Sequence, residues 1–206
     1  MNKKHAILFL HGLGGSAEEA AYYRPFFADA EVIGLDYKSI APWEAGIEIR
    51  KAAEALRARY DSVSLIGYSL GAYLAMHAGV DALLKKAYFI SPVVDMEAQI
   101  LMLMAQEGVT EEALKAQRVI PTGTGVTLSW DYLCWVREHP VEWTVPTEIL
   151  YAGRDILTPY GTIAAFAAKH GAKLTVMEDG EHWFHTDAQL RFLNDWLTKA
   201  AQEQGL

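Results

Sequence analysis

The chain has a single cysteine, Cys134, in 206 residues. A lone thiol forms no internal disulfide and builds no cysteine-rich metal site, so the composition fits a reducing compartment. Long apolar runs are also lacking. The first run, Ala6 to Leu10, is too short for a membrane span, and no small-residue cleavage pattern follows it, so a cytoplasmic protein is expected. Nor is there a basic block. Lysine and arginine number 18 against 26 aspartates and glutamates, for a formal charge of -8. Scattered acids of this kind argue against nucleic acid or an acidic membrane face as partner. No repeat, low-complexity tract or linker divides the sequence. With 51% apolar residues the chain can bury a core as one domain spanning 1–206, monomeric or homodimeric.

Short apolar runs alternate with stretches of helical periodicity, the pattern of a mainly parallel sheet covered by helices on both faces. Six runs read as strands: Ala6 to Leu10, Val32 to Leu35, Val63 to Ile66, Tyr88 to Ile90, Glu148 to Tyr151 and Lys173 to Met177. Each is rich in aliphatic or aromatic residues and bounded by glycine, proline, aspartate or serine. Ser16 with Glu19, and Thr186 with Gln189, read as capping boxes. Thr158-Pro159 reads as a helix start and Gly171 as the end of that helix. Ile49, Ala52, Ala53, Leu56 and Tyr60 share one helical face, as do Leu190, Leu193, Leu197 and Ala200, and both stripes read as core.

Between residues 95 and 146 the alternation breaks down. A Met-rich helical stretch, a second helix from about Glu111 to Gln117, a Gly-Thr loop and an aromatic segment follow one another. This small helical insertion before the fifth strand is expected to roof the site.

The chemistry begins at Gly67-Tyr68-Ser69-Leu70-Gly71, which follows a strand and opens a helical run. Average glycine and serine usage gives such a pattern by chance in roughly one chain in twenty, so its context carries more than its letters. In a nucleophile elbow the serine sits on a strained strand-to-helix turn, where flanking glycines let the backbone pass and the helix aims its positive end at the reacting centre. The bland alternative is a helix-capping serine in a tight turn.

His11-Gly12-Leu13-Gly14-Gly15 comes directly after the first strand. Carbonyl chemistry at Ser69 needs two backbone N–H groups aimed at the developing oxyanion, and Leu13 and Leu70 are the candidates. The same stretch supports a rival. Gly12-Leu13-Gly14-Gly15-Ser16-Ala17 also reads as a dinucleotide fingerprint, with Asp36 ending the next strand at the distance a ribose-binding acid requires. A dinucleotide-binding oxidoreductase is thus the alternative, and a non-catalytic ligand-binding protein on the same fold is a second.

The rest of the chain favours the serine. A base must take its proton, and an acid must hold that base in the right tautomer. Asp155 and His182 lie just past the fifth and sixth strands. Their order after Ser69 is the one an α/β hydrolase uses, and open sheets place sites at these strand ends. Asp155 also reads as a helix cap, and Asp95 after the fourth strand is a competing acid. His185 reads as a packing or capping residue. It could pair with His182 on a metal, but no third ligand lies nearby, so no metal is expected. His11 reads as a structural support of the oxyanion loop.

These four segments, including Gly153-Arg154-Asp155 with Thr158-Pro159 and Gly180-Glu181-His182-Trp183, together resemble the α/β-hydrolase superfamily. Within it they are similar to compact serine esterases and lipases related to monoacylglycerol lipases and feruloyl esterases. The resemblance implies a Ser69-His182-Asp155 triad, Leu13 and Leu70 as oxyanion donors, a covalent acyl-enzyme, water as second substrate and no cofactor. Two opening antiparallel strands common in that superfamily have no counterpart in this sequence. The insertion is short for a lipase lid.

For the substrate pocket the candidates are Tyr68 and Trp183, beside nucleophile and base, and Trp130 and Trp135 of the aromatic segment. The alternative for the aromatics, Trp143 included, is core packing. The expected substrate is a small or medium carboxylic ester, ahead of a thioester or an amide.

Overall fold

A computed structural model describes residues 4–202. Its strands are β1 (His5–Leu10), β2 (Ala30–Leu35), β3 (Ser62–Tyr68), β4 (Ala87–Ile90), β5 (Val119–Pro121), β6 (Thr127–Ser129), β7 (Thr147–Ala152) and β8 (Lys173–Met177). Its α-helices are α1 (Ala20–Tyr23), α2 (Pro42–Arg57), α3 (Leu70–Met76), α4 (Met96–Gln106), α5 (Glu111–Gln117), α6 (Trp130–Glu138), α7 (Tyr160–His170) and α8 (Asp187–Gln202).

Six strands form one sheet in the order β2-β1-β3-β4-β7-β8, and every neighbouring pair is parallel. This is the α/β-hydrolase arrangement of a parallel sheet between layers of helix. A parallel sheet covered on both faces needs strands that are apolar on both sides. The inner strands β1, β4 and β7 meet that demand, buried at every residue. Since side chains alternate across a strand, Ile7 and Phe9 of β1 face one side, in a core with Ile66, Ile90 and Leu150. The apolar stripe of α8, Leu193, Trp196, Leu197 and Ala200, packs into the same core with Tyr23 of α1 and Phe27. Burying one such leucine contributes roughly 1.5–3 kcal/mol. Helices α2 and α3 pack over β1 and β3, with Ile49, Ala53 and Leu56 buried.

The chain divides into two compact units, one reaching to Val94 and resuming at Glu142, the other Asp95–Val141. The second holds α4, α5, α6 and the antiparallel hairpin β5-β6. Arg137 ties its helices together, its guanidinium bonding Glu97 at 2.6 Å and Glu111 at 2.6 and 2.8 Å. The hairpin stands where the sequence reads as a Gly-Thr loop, and the aromatic segment folds as α6, capped by the Ser129 hydroxyl accepting from the Tyr132 N–H at 3.3 Å. The chain rejoins the first unit earlier than residue 146. Trp143 packs on Phe89 with ring centroids 5.6 Å apart and donates to Thr147 Oγ1 at 2.8 Å, so it is core of the sheet unit. Helix α7 starts one residue later than the Thr158-Pro159 reading, with Pro159 as cap, and ends at Gly171 in the left-handed region at φ 63°.

At the start of β1, His5 is 2% exposed and its Nδ1 shares a 2.5 Å hydrogen bond with Ser62 Oγ. Its Nε2 is buried with no hydrogen-bond partner among the described residues. Burial first, then the nearby Lys85, lowers this imidazole from 6.5 to about 4. The unfolded chain therefore takes up this proton at a higher pH than the folded one, and acid favours unfolding. Stability contributed by the neutral ring is complete above pH 6.5 and is lost as pH falls toward about 4. Urea midpoints of the protein and of His5→Asn are expected to converge, or cross, between pH 7 and pH 4.5; a gap independent of pH would contradict the burial of a neutral ring.

Candidate active site

Because all six strands of the sheet run parallel, their carboxyl ends share one edge. The segments singled out in the sequence leave from four of those ends. β1 leads into His11-Gly12-Leu13, β3 into Ser69, β7 into the turn bearing Asp155, and β8 into the loop bearing His182.

Ser69 sits at φ 49°, ψ -115°. For a residue with a Cβ such a backbone costs on the order of 1–3 kcal/mol and persists only where its surroundings enforce it. Three hydrogen bonds do so: the Ser69 N–H donates to Ile90 O at 3.0 Å, and Ser69 O accepts from Val93 N and Ala72 N, each at 3.2 Å. The flanking glycines are required by space. A Cβ on Gly71 would lie 2.4 Å from Leu10 O, and one on Gly67 would lie 2.8 Å from Ala72 Cα.

The structure brings Ser69, His182 and Asp155 into one hydrogen-bonded chain. Ser69 Oγ lies 2.9 Å from His182 Nε2, and His182 Nδ1 lies 2.8 Å from Asp155 Oδ2. The carboxylate is fixed from behind: Oδ1 accepts the Leu157 and Thr158 N–H groups at 2.8 and 3.2 Å. Asp155 therefore both holds the imidazole and supports the turn ahead of α7. The side chains of His182 and Asp155 are 3% and 0% exposed, so the relay is shielded from water. The His182 loop is anchored by Tyr68, whose hydroxyl donates to His182 O at 2.8 Å.

Asp95 caps α4, accepting the Ala98 N–H at 3.0 Å. His185 lies outside the relay: its ring is 3.5 Å from Glu181 and its N–H donates to Gln189 Oε1 at 3.0 Å. No group of three or more His, Cys, Asp or Glu among the described residues is placed to hold a metal ion.

The loop after β1 turns back on itself, the Gly15 N–H donating to Gly12 O at 3.1 Å. His11 Nδ1 lies 2.8 Å from Gly12 O, and its ring stacks on Tyr37 at 4.3 Å. The Leu13 and Leu70 N–H groups have no acceptor among the described residues, and Leu70 is the first residue of α3, where helix N–H groups are unpaired by construction. Asp36, the ribose-binding candidate of the dinucleotide reading, instead accepts the Ala17 N–H at 2.6 Å. The loop opens a three-residue 3-10 turn and the four-residue α1, not a long helix whose N-terminus could face a pyrophosphate.

A cavity of about 600 Å³ lies against Ser69 and His182, and Tyr68 and Trp183 are on its wall. The rest of the lining includes Glu19, Tyr22, Leu157, Leu190 and Leu193. The last two read in the sequence as helix core, and Glu19 as a capping residue, so nothing in their spacing marks them as cavity walls. Trp130 and Trp135 belong to the other unit. There Lys115 Nζ lies 5.8 Å from the Trp130 ring centre, and Trp135 stacks on His139 at 4.3 Å.

No protein-family model and no curated protein matches the sequence. Solved structures do match its fold. Est1E from Butyrivibrio proteoclasticus superposes with a TM-score of 0.82 at 16% identity, over 99% of this chain and 89% of that one. The same protein with ferulic acid bound gives 0.80 at 16% identity, over 99% and 90%. Mouse alpha/beta hydrolase domain-containing protein 10 gives 0.73 at 14% identity, over 97% and 90%. No helix among the described residues is long and apolar enough to cross a membrane. At these identities the likeness shows the fold alone: the chain has the α/β-hydrolase fold along essentially its whole length.

Proposed function

We propose that the protein is a serine hydrolase that cleaves a small or medium carboxylic ester through an acyl-enzyme on Ser69. The observation that carries this reading is the 2.9 Å and 2.8 Å chain from Ser69 Oγ through His182 to Asp155. A carboxylate on Nδ1 leaves Nε2 as the basic nitrogen facing the hydroxyl, the tautomer a general base needs.

In acylation Ser69 Oγ attacks the ester carbonyl carbon while its proton passes to His182 Nε2. The carbonyl oxygen becomes an oxyanion, accepted by the Leu13 and Leu70 N–H groups. Collapse expels the alcohol, protonated by His182. Water then attacks the acyl-enzyme, gives its proton to His182, and the carboxylic acid leaves as Ser69 recovers its hydrogen. Asp155 stabilises the imidazolium in both halves without taking the proton. Two preformed donors at the oxyanion are worth a hundredfold or more each, on the order of 3 kcal/mol. The residues present call for no cofactor in this sequence of steps.

The cavity beside Ser69, with its aromatic and leucine lining, supports an apolar acyl or aryl group, and the ferulic acid held by Est1E is a group of that kind. We place the protein in the cytoplasm, on its single cysteine and acidic composition.

A fluorophosphonate probe is expected to label the wild type and leave Ser69→Ala unlabelled; equal labelling of both would eliminate Ser69 as nucleophile. His182→Ala is expected to lower the acylation rate by about three or more orders of magnitude while His185→Ala retains most of it. Stopped-flow release of p-nitrophenol measures both, and equal losses would contradict the assignment of the base.

A further inference from the structure

The exposed Glu19 stands on the wall of the cavity beside Ser69, and among the described residues no lysine or arginine lines it. Glu19 Oε1 accepts the Ser16 N–H at 2.9 Å, and among the described residues Glu19 has no ion-pair partner. The same lining carries the rings of Tyr22, Tyr68 and Trp183. Tyr22 donates its hydroxyl to Asn194 Oδ1 at 2.5 Å and Tyr68 donates to His182 O at 2.8 Å. Both phenols thus have their protons engaged on the protein, so neither hydroxyl is free to donate to an anion in the cavity. Trp183 is 60% exposed, its ring set edge-on to His182 with centroids 5.2 Å apart. The charge of Glu19 is felt inside: after burial, it is the next cause pushing the Tyr68 hydroxyl above its ordinary value.

Resting on the hydrolase reading above, we propose that Glu19, with the faces of Tyr22 and Trp183, makes this cavity select substrates by charge, taking a cationic ammonium group in preference to a neutral one and rejecting an anionic one. A carboxylate sharing a cavity wall with aromatic rings is the chemistry that recognises a quaternary or protonated amine. A carboxylate or phosphate in the same place meets a like charge with no cation to offset it, in a chain of net charge -8. The competing role for Glu19 is purely structural, since it caps the turn at Ser16. Glu19→Gln separates the two, because an amide oxygen still accepts from the Ser16 N–H while the charge is gone.

The experiment compares kcat/KM within two matched ester series. One varies the acyl group, as p-nitrophenyl esters of 4-(trimethylammonio)butanoate, of its uncharged isostere 5,5-dimethylhexanoate, and of glutarate. The other varies the alcohol, as butyrates of choline, of 3,3-dimethylbutanol and of 3-hydroxypropanoate. In the series whose variable group enters the cavity, the cation is expected to exceed the neutral ester by about fivefold, and the neutral ester to exceed the anion by a similar factor. In Glu19→Gln the cation-to-anion ratio is expected to fall to within about twofold of unity, and being a ratio within one enzyme it is unaffected by a general loss of activity. Ester turnover with no order by charge in either series, or an order unchanged in Glu19→Gln, overturns the charge selection alone. A wild type that hydrolyses no ester and takes no fluorophosphonate overturns the hydrolase reading, and this proposal with it.

Discussion

The backbone of Ser69, held at φ 49° and ψ -115°, is the constraint on which the rest of the site depends. A serine left to itself abandons that conformation. Here it is kept by hydrogen bonds to Ile90, Val93 and Ala72, and so by the pairing of β3 with β4 and by the first turn of α3. The elbow places Oγ 2.9 Å from His182 Nε2 and sets the Leu70 N–H at the head of a helix with no acceptor among the described residues. The close approach of Gly71 to the carbonyls of Leu10 and His11 locks the loop after β1 to the same turn. A small amount of stored strain is thus balanced by the whole central part of the sheet.

The second half of the relay is built with equal economy. Asp155 uses one oxygen for His182 and the other for the backbone of its own turn, so the carboxylate cannot rotate away without breaking the approach to α7. Tyr68 performs a similar double task, lining the cavity and holding the histidine loop through His182 O. Rigid placement of this kind is what the proposed nucleophile and base would require, since a misplacement of about an ångström costs such a pair much of its advantage.

Much of this was legible in the chain itself. The inner strands of a covered sheet read as apolar runs, and all six sheet strands overlap the runs seen in the sequence, although the edge strands β2 and β8 are only partly buried. Ser69, Asp155 and His182 were legible because strand ends and glycine-marked turns announce them. The hairpin was not: Val119–Pro121 and Thr127–Ser129 are three-residue strands around a Gly-Thr turn, too short for an alternation to register. Glu19 escaped for another reason. Its spacing from Ser16 signals a cap, which it is, and no local pattern reveals that the capped turn also walls a cavity reaching to Leu190 and Leu193 of a distant helix. Trp130 and Trp135 lie on α6 of the second unit, where aromatics at helical spacing read alike as pocket or as packing.

The proposed hydrolase requires a covalent acyl bond at one oxygen, that of Ser69. Rapid quenching of the wild-type protein during turnover of a p-nitrophenyl ester, followed by peptide mass mapping, asks directly whether that bond forms. A burst of p-nitrophenol matching the enzyme concentration, with the acyl mass on the peptide containing Ser69, is the predicted result. Turnover with no burst and no acyl adduct, or an adduct on any other residue, would contradict it.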